Sequence, residues 1–339
     1  MTVRRLNPVR WGLLGASSIA TRAFVPAAEM SEYAVTHAVA SRDLAKAEAY
    51  ASAHGLTRAH GSYEALLRDD DIEAVYVSLP NSLHLDWAIK ALEAGKHVLC
   101  EKPMHRDPRQ VALAFDAAER AGLLLMEAFM YRHHPDTRQL MHCISSGELG
   151  DVHHVRAALS FTMPGSVNVR LAPELHGGAL MDVGCYAVNA LRMICGEPDS
   201  VSGLEHAGPS GVDLRFAGFL KSQNGASGFF DCGLDLPSRS CIEIIGTKGT
   251  VRADWPFFRP FFPHLDPPMI EVRVGLKSRR LQLSDDNPYR AQIDNFSRAI
   301  RGIGRSLLGR EDALAQSAVI DALRRSAAEQ SQWISTRAG

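Results

Sequence analysis

The first 130 residues alternate short apolar runs with stretches of helical spacing, and a glycine loop follows directly on the first run. Val9 to Leu14, Val35 to Ala40, Ala74 to Leu79, His97 to Cys100 and Leu123 to Met126 read as buried strands. Between them Ser18 to Met30, Leu44 to His54, Leu83 to Ala94 and Pro108 to Ala121 carry helical periodicity. Helix punctuation agrees: Asp43 and Asp107 stand near two starts, and Gly55, Gly95 and Gly122 just beyond three ends. Each crossover helix returns the chain to the same end of the sheet, so the strands run parallel with helices on both faces. This half therefore predicts an α/β, doubly wound parallel sheet of the Rossmann type.

After about Tyr131 the grammar changes. A helix from Pro135 to Ser146 leads into a strand, Val152 to Thr162, then a loop with Pro164, Gly165 and Pro173, then a strongly apolar helix from Ala179 to Cys195. From Ser200 to Leu283 strand follows strand, with Gly203, Gly211, Asn224-Gly225 and Lys248-Gly249 as turn signals. Helical patterns at Tyr289 to Ile303 and Asp312 to Ser331 close the chain. The expectation is an α+β domain with a large, mainly antiparallel open sheet. A length of 339 residues, at roughly 150 per domain, fits two domains, 1–130 and 131–339. Apolar alternation on the outer face of the second sheet needs a cover, which points to a homodimer or homotetramer.

Charge excludes some partners. With 37 Lys+Arg against 38 Asp+Glu and a formal net charge of -1, the chain has no global field to draw nucleic acid or anionic lipid. Any anion it binds is held locally. Met1 to Arg10 is basic, but the apolar stretch Trp11 to Ala16 is too short for a signal-peptide core. The longest apolar run, Gly122 to Met130, is interrupted by Glu127 and falls short of the roughly 20 residues that span a bilayer. A soluble cytoplasmic protein is expected. The six cysteines show no paired metal spacing and read as buried free thiols. His133-His134 and His153-His154 lack metal-site spacing, so no metal is expected.

The loop after the first strand, Gly15-Ala16-Ser17-Ser18-Ile19-Ala20, fits a dinucleotide fingerprint in the relaxed form Gly15-x-Ser17-x-x-Ala20. Gly15 makes the tight turn, small residues admit a pyrophosphate, and Ala20 lets the helix pack closely on the strand. The second strand ends at Ser41-Arg42, 26 positions after Gly15. A carboxylate there suits the ribose 2′-hydroxyl of NAD, whereas a hydroxyl followed by Arg suits a 2′-phosphate, so NADP is the expected cofactor. Asp43 reads either as the ribose acid shifted in register, which would favour NAD, or as a carboxylate in the first turn of the Leu44 helix, and the second reading is preferred.

Two further segments lie at carboxyl ends of parallel strands, where open α/β sheets bind ligands. These are Leu79-Pro80-Asn81-Ser82-Leu83-His84 and Gly95-Lys96-His97-Val98-Leu99-Cys100-Glu101-Lys102-Pro103. An ammonium at Lys102, at the mouth of the sheet, can polarise a carbonyl or stabilise a developing alkoxide. On the Ala179 helix, Asp182, Tyr186 and Asn189 are spaced four and three apart and form one polar stripe. Such a stripe is either hydrogen-bonded or faces a wet pocket.

Together with Met126 to Arg132 and Gly177 to Tyr186, these segments resemble the glucose-fructose oxidoreductase / inositol dehydrogenase / rhizopine catabolism (Gfo/Idh/MocA) family, from Arg10 to about Arg301. The resemblance implies that Glu101-Lys102-Pro103 is the nicotinamide-side motif, with a cis bond possible at Pro103, and that Tyr63 lies near the nucleotide. It implies cofactor contacts from Gly15 to Ile19, Ser41, Arg42, Tyr63, Leu79, Pro80, Asn81, His84, Glu101 and Lys102, and substrate contacts from Lys102, Arg170, His176, Asp182 and Tyr186. Tyr at 186, where many relatives carry His, resembles the sugar ketoreductase, D-xylose dehydrogenase and dihydrodiol dehydrogenase branches. A phenol there can protonate a carbonyl oxygen during hydride delivery, with Lys102 as the alternative donor. Arg22, early in the first helix, is a weaker candidate for a phosphate contact. The implied activity is reduction by NADPH of the C-3 keto group of a dTDP-linked deoxysugar. NADP-dependent oxidation of D-xylose at C-1 or of a trans-dihydrodiol stands beside it. The alternative of another class is a non-catalytic NADP-binding regulator, against which the retention of both Lys102 and Tyr186 counts.

Overall fold

A computed structural model describes residues 7–163, 165, 168–257 and 268–336; Pro164 and the stretch 1–6 of the basic start lie outside the described residues. The chain forms two compact units, one of residues 1–105, 109–133 and 286–314, the other of 106–108, 134–285 and 315–339.

The first unit holds β1 (Val9–Leu14), α1 (Val25–Glu29), β2 (Ala34–Ala40), α2 (Leu44–Ala53), β3 (Arg58–His60), α3 (Tyr63–Leu67), β4 (Ala74–Val77), α4 (His84–Glu93), β5 (His97–Cys100), α5 (Pro108–Ala121) and β6 (Leu125–Glu127). All strand pairs are parallel, in the order β3-β2-β1-β4-β5-β6. Strand order reverses between β1 and β4, so the crevice of the sheet opens at their carboxyl ends, beside Gly15 and Ser78. Four of the six strands are buried along almost every residue, as continuous apolar runs require. Two elements had no signal in the apolar pattern: β3 has three residues and α3 five, shorter than one hydrophobic period can mark.

A later segment, α8 (Pro288–Ile300), returns to this unit. Trp11 of β1, fully buried, meets Phe24 and Phe296 with ring centroids 5.3 and 5.8 Å away, and its indole N–H donates to Ser297 Oγ at 3.2 Å. Burial of side chains such as Phe296 and Ile293 contributes roughly 1.5–3 kcal/mol each. Arg301 then grips Glu73 through two nitrogens at 2.7 and 3.0 Å.

The second unit contains α6 (Pro135–Ser145), β7 (Val152–Thr162), α7 (Cys185–Cys195), β8 (Pro198–Ala207), β9 (Asp213–Ser222), β10 (Ser227–Gly233), β11 (Asp235–Gly246), β12 (Gly249–Asp254), β13 (Met269–Val274), β14 (Lys277–Arg280), most of α9 (Arg310–Ala328) and β15 (Ile334–Ser335). Its nine-stranded sheet has the order β14-β13-β12-β11-β7-β10-β9-β8-β15, antiparallel except where β10 lies parallel to β7. Gly211 and Gly225 turn the chain as the sequence predicts, but Gly203 does not. It lies inside β8, opposite Gly218 of β9. A Cβ on Gly203 would come within 2.7 Å of the Leu323 carbonyl oxygen and one on Gly218 within 3.0 Å of the Leu323 side chain, so the two glycines make a hollow that receives α9. Five cysteines are buried thiols outside any disulfide, as expected; Cys241 is half-buried. Among the described residues no helix is long and apolar enough to cross a membrane, and no group of three or more His, Cys, Asp or Glu could hold a metal ion.

Candidate active site

In the first unit the residues expected to meet a dinucleotide converge on the crevice. Gly15 has φ +105°, a conformation that favours glycine, and a Cβ there would lie 3.1 Å from Leu79 Cδ2 and 3.5 Å from Ser78 O. Its N–H donates to Ala40 O at 3.1 Å. Ser17 Oγ accepts from Ala20 N–H at 3.1 Å and donates to Ser78 Oγ at 2.8 Å, tying the loop to the end of β4. The helical turn beginning at Ser18 presents its N-terminus to this bare backbone, a site that favours phosphate. The loop and helix start fit a dinucleotide.

At the end of β2, Ser41 Oγ accepts from Asp43 N–H at 3.2 Å, and Asp43 caps α2 by accepting from Lys46 N–H at 3.3 Å. The Asp43 carboxylate is thereby engaged with its helix, while Arg42 beside it is exposed. Tyr63 lies close enough to Arg42 to feel its charge: burial raises the phenol and the guanidinium opposes that rise. The Tyr63 ring stands edge-on to Trp87 at 4.8 Å, so it is also a packing aromatic. Arg22 is exposed on the turn Ala20–Phe24.

The Glu101-Lys102-Pro103 segment is braced from three sides. Glu101, buried, accepts from Tyr76 OH and from Lys102 N–H. His84, 1% exposed, sets Nδ1 2.9 Å from Pro103 O and Nε2 2.8 Å from Leu79 O, so one ring spans both candidate segments. Burial pushes His84 down to about 4, against the pull of the two carbonyls. Glu127, buried at the end of β6, accepts from Met104 N–H at 2.6 Å. The Lys102–Pro103 bond is cis. Lys102 itself is half-buried. Glu101 and His84, expected beside the cofactor, thus make hydrogen bonds that shape the backbone around Lys102, while Pro80 and Asn81 form the turn before α4.

In the second unit, Arg170 Nε donates to Asp182 Oδ2 at 2.6 Å. The Arg170 carbonyl accepts from Gly178 N–H at 2.9 Å. His176 takes a left-handed backbone, φ 56°. A Cβ on Gly177 would sit 2.3 Å from Arg170 O, so the Gly177-Gly178 pair is what lets the loop fold back on itself. Tyr186 is 2% exposed and its ring lies 5.7 Å from that of Phe257. Asp182 and Asn189 of the polar stripe are hydrogen-bonded. Asp182 holds Arg170, and Asn189 donates to Gln316 Oε1 at 3.3 Å, which also accepts from Arg192 at 2.8 Å.

Three side chains that brace these segments, Glu127, Tyr76 and Asp213, are not among the residues expected at the site. Glu127 was visible as a charge inside an apolar run, the one signal that pointed to a buried acceptor. Tyr76 was hidden in a strand. Asp213 was hidden at the start of β9, where a lone acidic residue after a turn carries no pattern. Its Oδ2 accepts from Leu180 N–H at 2.7 Å.

Comparison with known proteins follows the same division. Residues 9–129 match the family described as "Oxidoreductase family, NAD-binding Rossmann fold", and residues 137–252 match the "GFO/IDH/MocA C-terminal domain". D-xylose 1-dehydrogenase (NADP(+)) 2 of Haloferax volcanii is 38% identical over 322 residues, 94% of this chain and 97% of that protein. The dTDP-3,4-didehydro-2,6-dideoxy-alpha-D-glucose 3-reductase of Actinomadura kijaniata is 32% identical over 94% of this chain and 95% of its own. The crystal structure of a 3-ketoreductase from Actinomadura kijaniata with NADP and TDP-benzene superimposes with a TM-score of 0.87 at 30% identity, covering 94% of this chain and 98% of that one.

Proposed function

The chain belongs to the Gfo/Idh/MocA oxidoreductase family, and from that premise we propose that it is an NADPH-dependent sugar ketoreductase acting on the C-3 keto group of a dTDP-linked deoxysugar. The enzyme is an oxidoreductase and its cofactor is NADP. The observation that carries the finer reading is the likeness, over 94% of the chain, to a 3-ketoreductase crystallised with NADP and TDP-benzene. When bound, the nicotinamide supplies hydride to the carbon that bears oxygen, or withdraws it in the reverse direction. The Gly15–Ile19 loop and helix start hold the pyrophosphate, and Ser41 and Arg42 hold the 2′-phosphate. As C=O becomes CH–OH, Tyr186 gives its phenolic proton to the oxygen. The Lys102 ammonium stabilises the negative charge that develops there. The phenolate regains a proton from Lys102 or from water. Arg170 and Asp182, locked to one another, and His176 orient the sugar.

A second reading is favoured by the 38% identity to a D-xylose 1-dehydrogenase. There the substrate is a free sugar, and the same two residues act in the oxidative direction. Absorbance at the nicotinamide band distinguishes them. The expected result is oxidation of NADPH by a dTDP-linked 3-keto deoxysugar, and kcat for Tyr186→Phe reduced by roughly a hundredfold or more with cofactor binding retained. Turnover of NADP with D-xylose or a trans-dihydrodiol, and none of the nucleotide sugar, replaces the first reading. Absence of hydride transfer with the whole panel defeats the enzymatic reading.

We propose also that the outer face of the nine-stranded sheet is covered by a second copy of the chain. One cross-strand row on that face runs Phe219, Phe229, Arg156, Glu243, Arg252, Glu271, Arg280. Its charges alternate in sign, so a two-fold axis between Glu243 and Arg252 sets Arg156 against Glu271 and Glu243 against Arg252 of the second copy.

A further inference from the structure

Asp213 is the group that fixes the head of the helical segment carrying Asp182 and Tyr186. It comes from β9, outside the loop and helix that hold the proposed substrate residues. Its Oδ2 accepts from Leu180 N–H at 2.7 Å, and a Cβ on Gly178 would fall 2.0 Å from its Oδ1. The carboxylate therefore lies against the bare Gly178 backbone and binds the next free N–H but one. Gly178 is fastened on its other side, where its own N–H donates to Arg170 O. Asp182 N–H in turn donates to Gly178 O at 3.0 Å, and the Asp182 carboxylate holds the Arg170 guanidinium. One carboxylate thus stands at the point where the loop of Arg170 and His176 meets the first turn leading to Tyr186.

We propose that Asp213 is a positioning residue for the reaction, setting the places of Arg170, Asp182 and Tyr186 through its clasp on Gly178 and Leu180. This rests on the functional reading given above. Asp213 touches neither substrate nor cofactor in this scheme; it acts through the backbone. The groups that face its carboxyl are Glu205 of β8, Arg324 of α9 and Cys232 of β10, besides the N–H of Leu180 and its own. Burial raises the carboxyl from 3.8 to about 7; the two N–H groups and Arg324 pull it down, and Glu205 adds to the rise. Above that pH the anion is the stronger acceptor and faces the positive end of the helical segment; below it the neutral acid holds Leu180 less firmly. A folded value above the unfolded one means that ionisation costs stability as pH rises, so activity lost on the acid side of 7 is not unfolding linked to Asp213.

The test compares the wild type with Asp213→Asn and Asp213→Ala in the full chain. Hydrogen exchange at the Leu180 amide needs no substrate: the alanine variant is expected to lose protection there, and the asparagine variant, whose amide oxygen can still accept, to keep it. In steady state the alanine variant is expected to lose kcat/KM for the sugar by roughly tenfold with KM for NADPH unchanged. The asparagine variant should stay within roughly twofold of the wild type above pH 7 and lack the wild type's rise in kcat/KM through that pH. Unaltered protection in Asp213→Ala, unaltered kcat/KM in that variant, or an asparagine variant as impaired as alanine overturns the proposal. If no sugar is turned over at all, the functional reading falls, and the exchange measurement alone decides whether the clasp exists.

Discussion

In the proposed function Arg42, an exposed side chain, carries the cofactor choice. The near-neutral chain offers no diffuse field to a 2′-phosphate of up to two negative charges, so discrimination has to come from a placed charge. Ser41 beside it accepts from Asp43 N–H and keeps its own O–H to donate, and Asp43 is engaged as the cap of α2. Arg42→Ala is therefore expected to raise KM for NADPH by roughly tenfold or more, the scale of one lost charge-assisted hydrogen bond, with KM for NADH nearly unchanged. Steady-state kinetics with both nucleotides checks it, and equal effects on the two remove the 2′-phosphate assignment. At this scale the sequence was legible for place, since Gly15, Arg42 and Lys102 each follow the carboxyl end of a parallel strand as the strand-loop-helix grammar predicts. It was silent on what braces them. That Glu101 is held by Tyr76, that His84 joins Leu79 to Pro103, and that Asp213 reaches Leu180 are contacts over 25, 19 and 33 positions of chain, with no periodicity to announce them.

At the scale of elements, the long periodic segments are the ones the pattern located. Predicted and observed ends coincide for β1, β5, α5 and β7, because each is bounded by a turn residue or a change of period. The departures have a common cause: a glycine or a short segment whose role is set by a distant neighbour. Gly203 reads as a turn because glycine usually breaks a strand, yet here it thins the sheet so that α9 can lie against it. Gly203 N–H donates to Ser326 Oγ at 2.9 Å, which fastens the helix at the same place. Gly203→Val should overpack this contact at a cost of about 1–3 kcal/mol, since a backbone carbonyl and the Phe216 ring are in the way. Thermal unfolding is expected to show Tm lowered by several degrees with NADPH affinity retained. A variant as stable as the wild type would mean that α9 shifts without cost. The return of α8 to the first sheet belongs to the same class, for an amphipathic helix announces a buried face and not the sheet that buries it.

For the whole molecule the outer face of the nine-stranded sheet poses a question of solvent. Phe219 there is 50% exposed, with its ring 5.0 Å from that of Phe229, and Leu204 is 65% exposed. A hollow of about 780 Å³ on this face is lined by Phe219, Phe229, Ala158, Cys241 and Ile245 among charged neighbours. Apolar surface of this kind, ringed by charge, is the anatomy of an interface rather than of a solvated face. Both signs are present in strict alternation, from Arg156 through Arg280. A basic or acidic partner would meet repulsion at every second position, whereas a second copy related by a two-fold axis between Glu243 and Arg252 sets four of the five charges against opposite ones. Sedimentation of the wild type is therefore expected to give a dimer or tetramer. Phe219→Asp, which places a third carboxylate in the row and removes its apolar end, should shift it to monomer with each unit still folded. A wild-type monomer at concentrations well above those of assay, or an assembly indifferent to Phe219→Asp and to charge reversal of Arg156, would mean that this face stays in water and that its aromatic row serves the sheet alone.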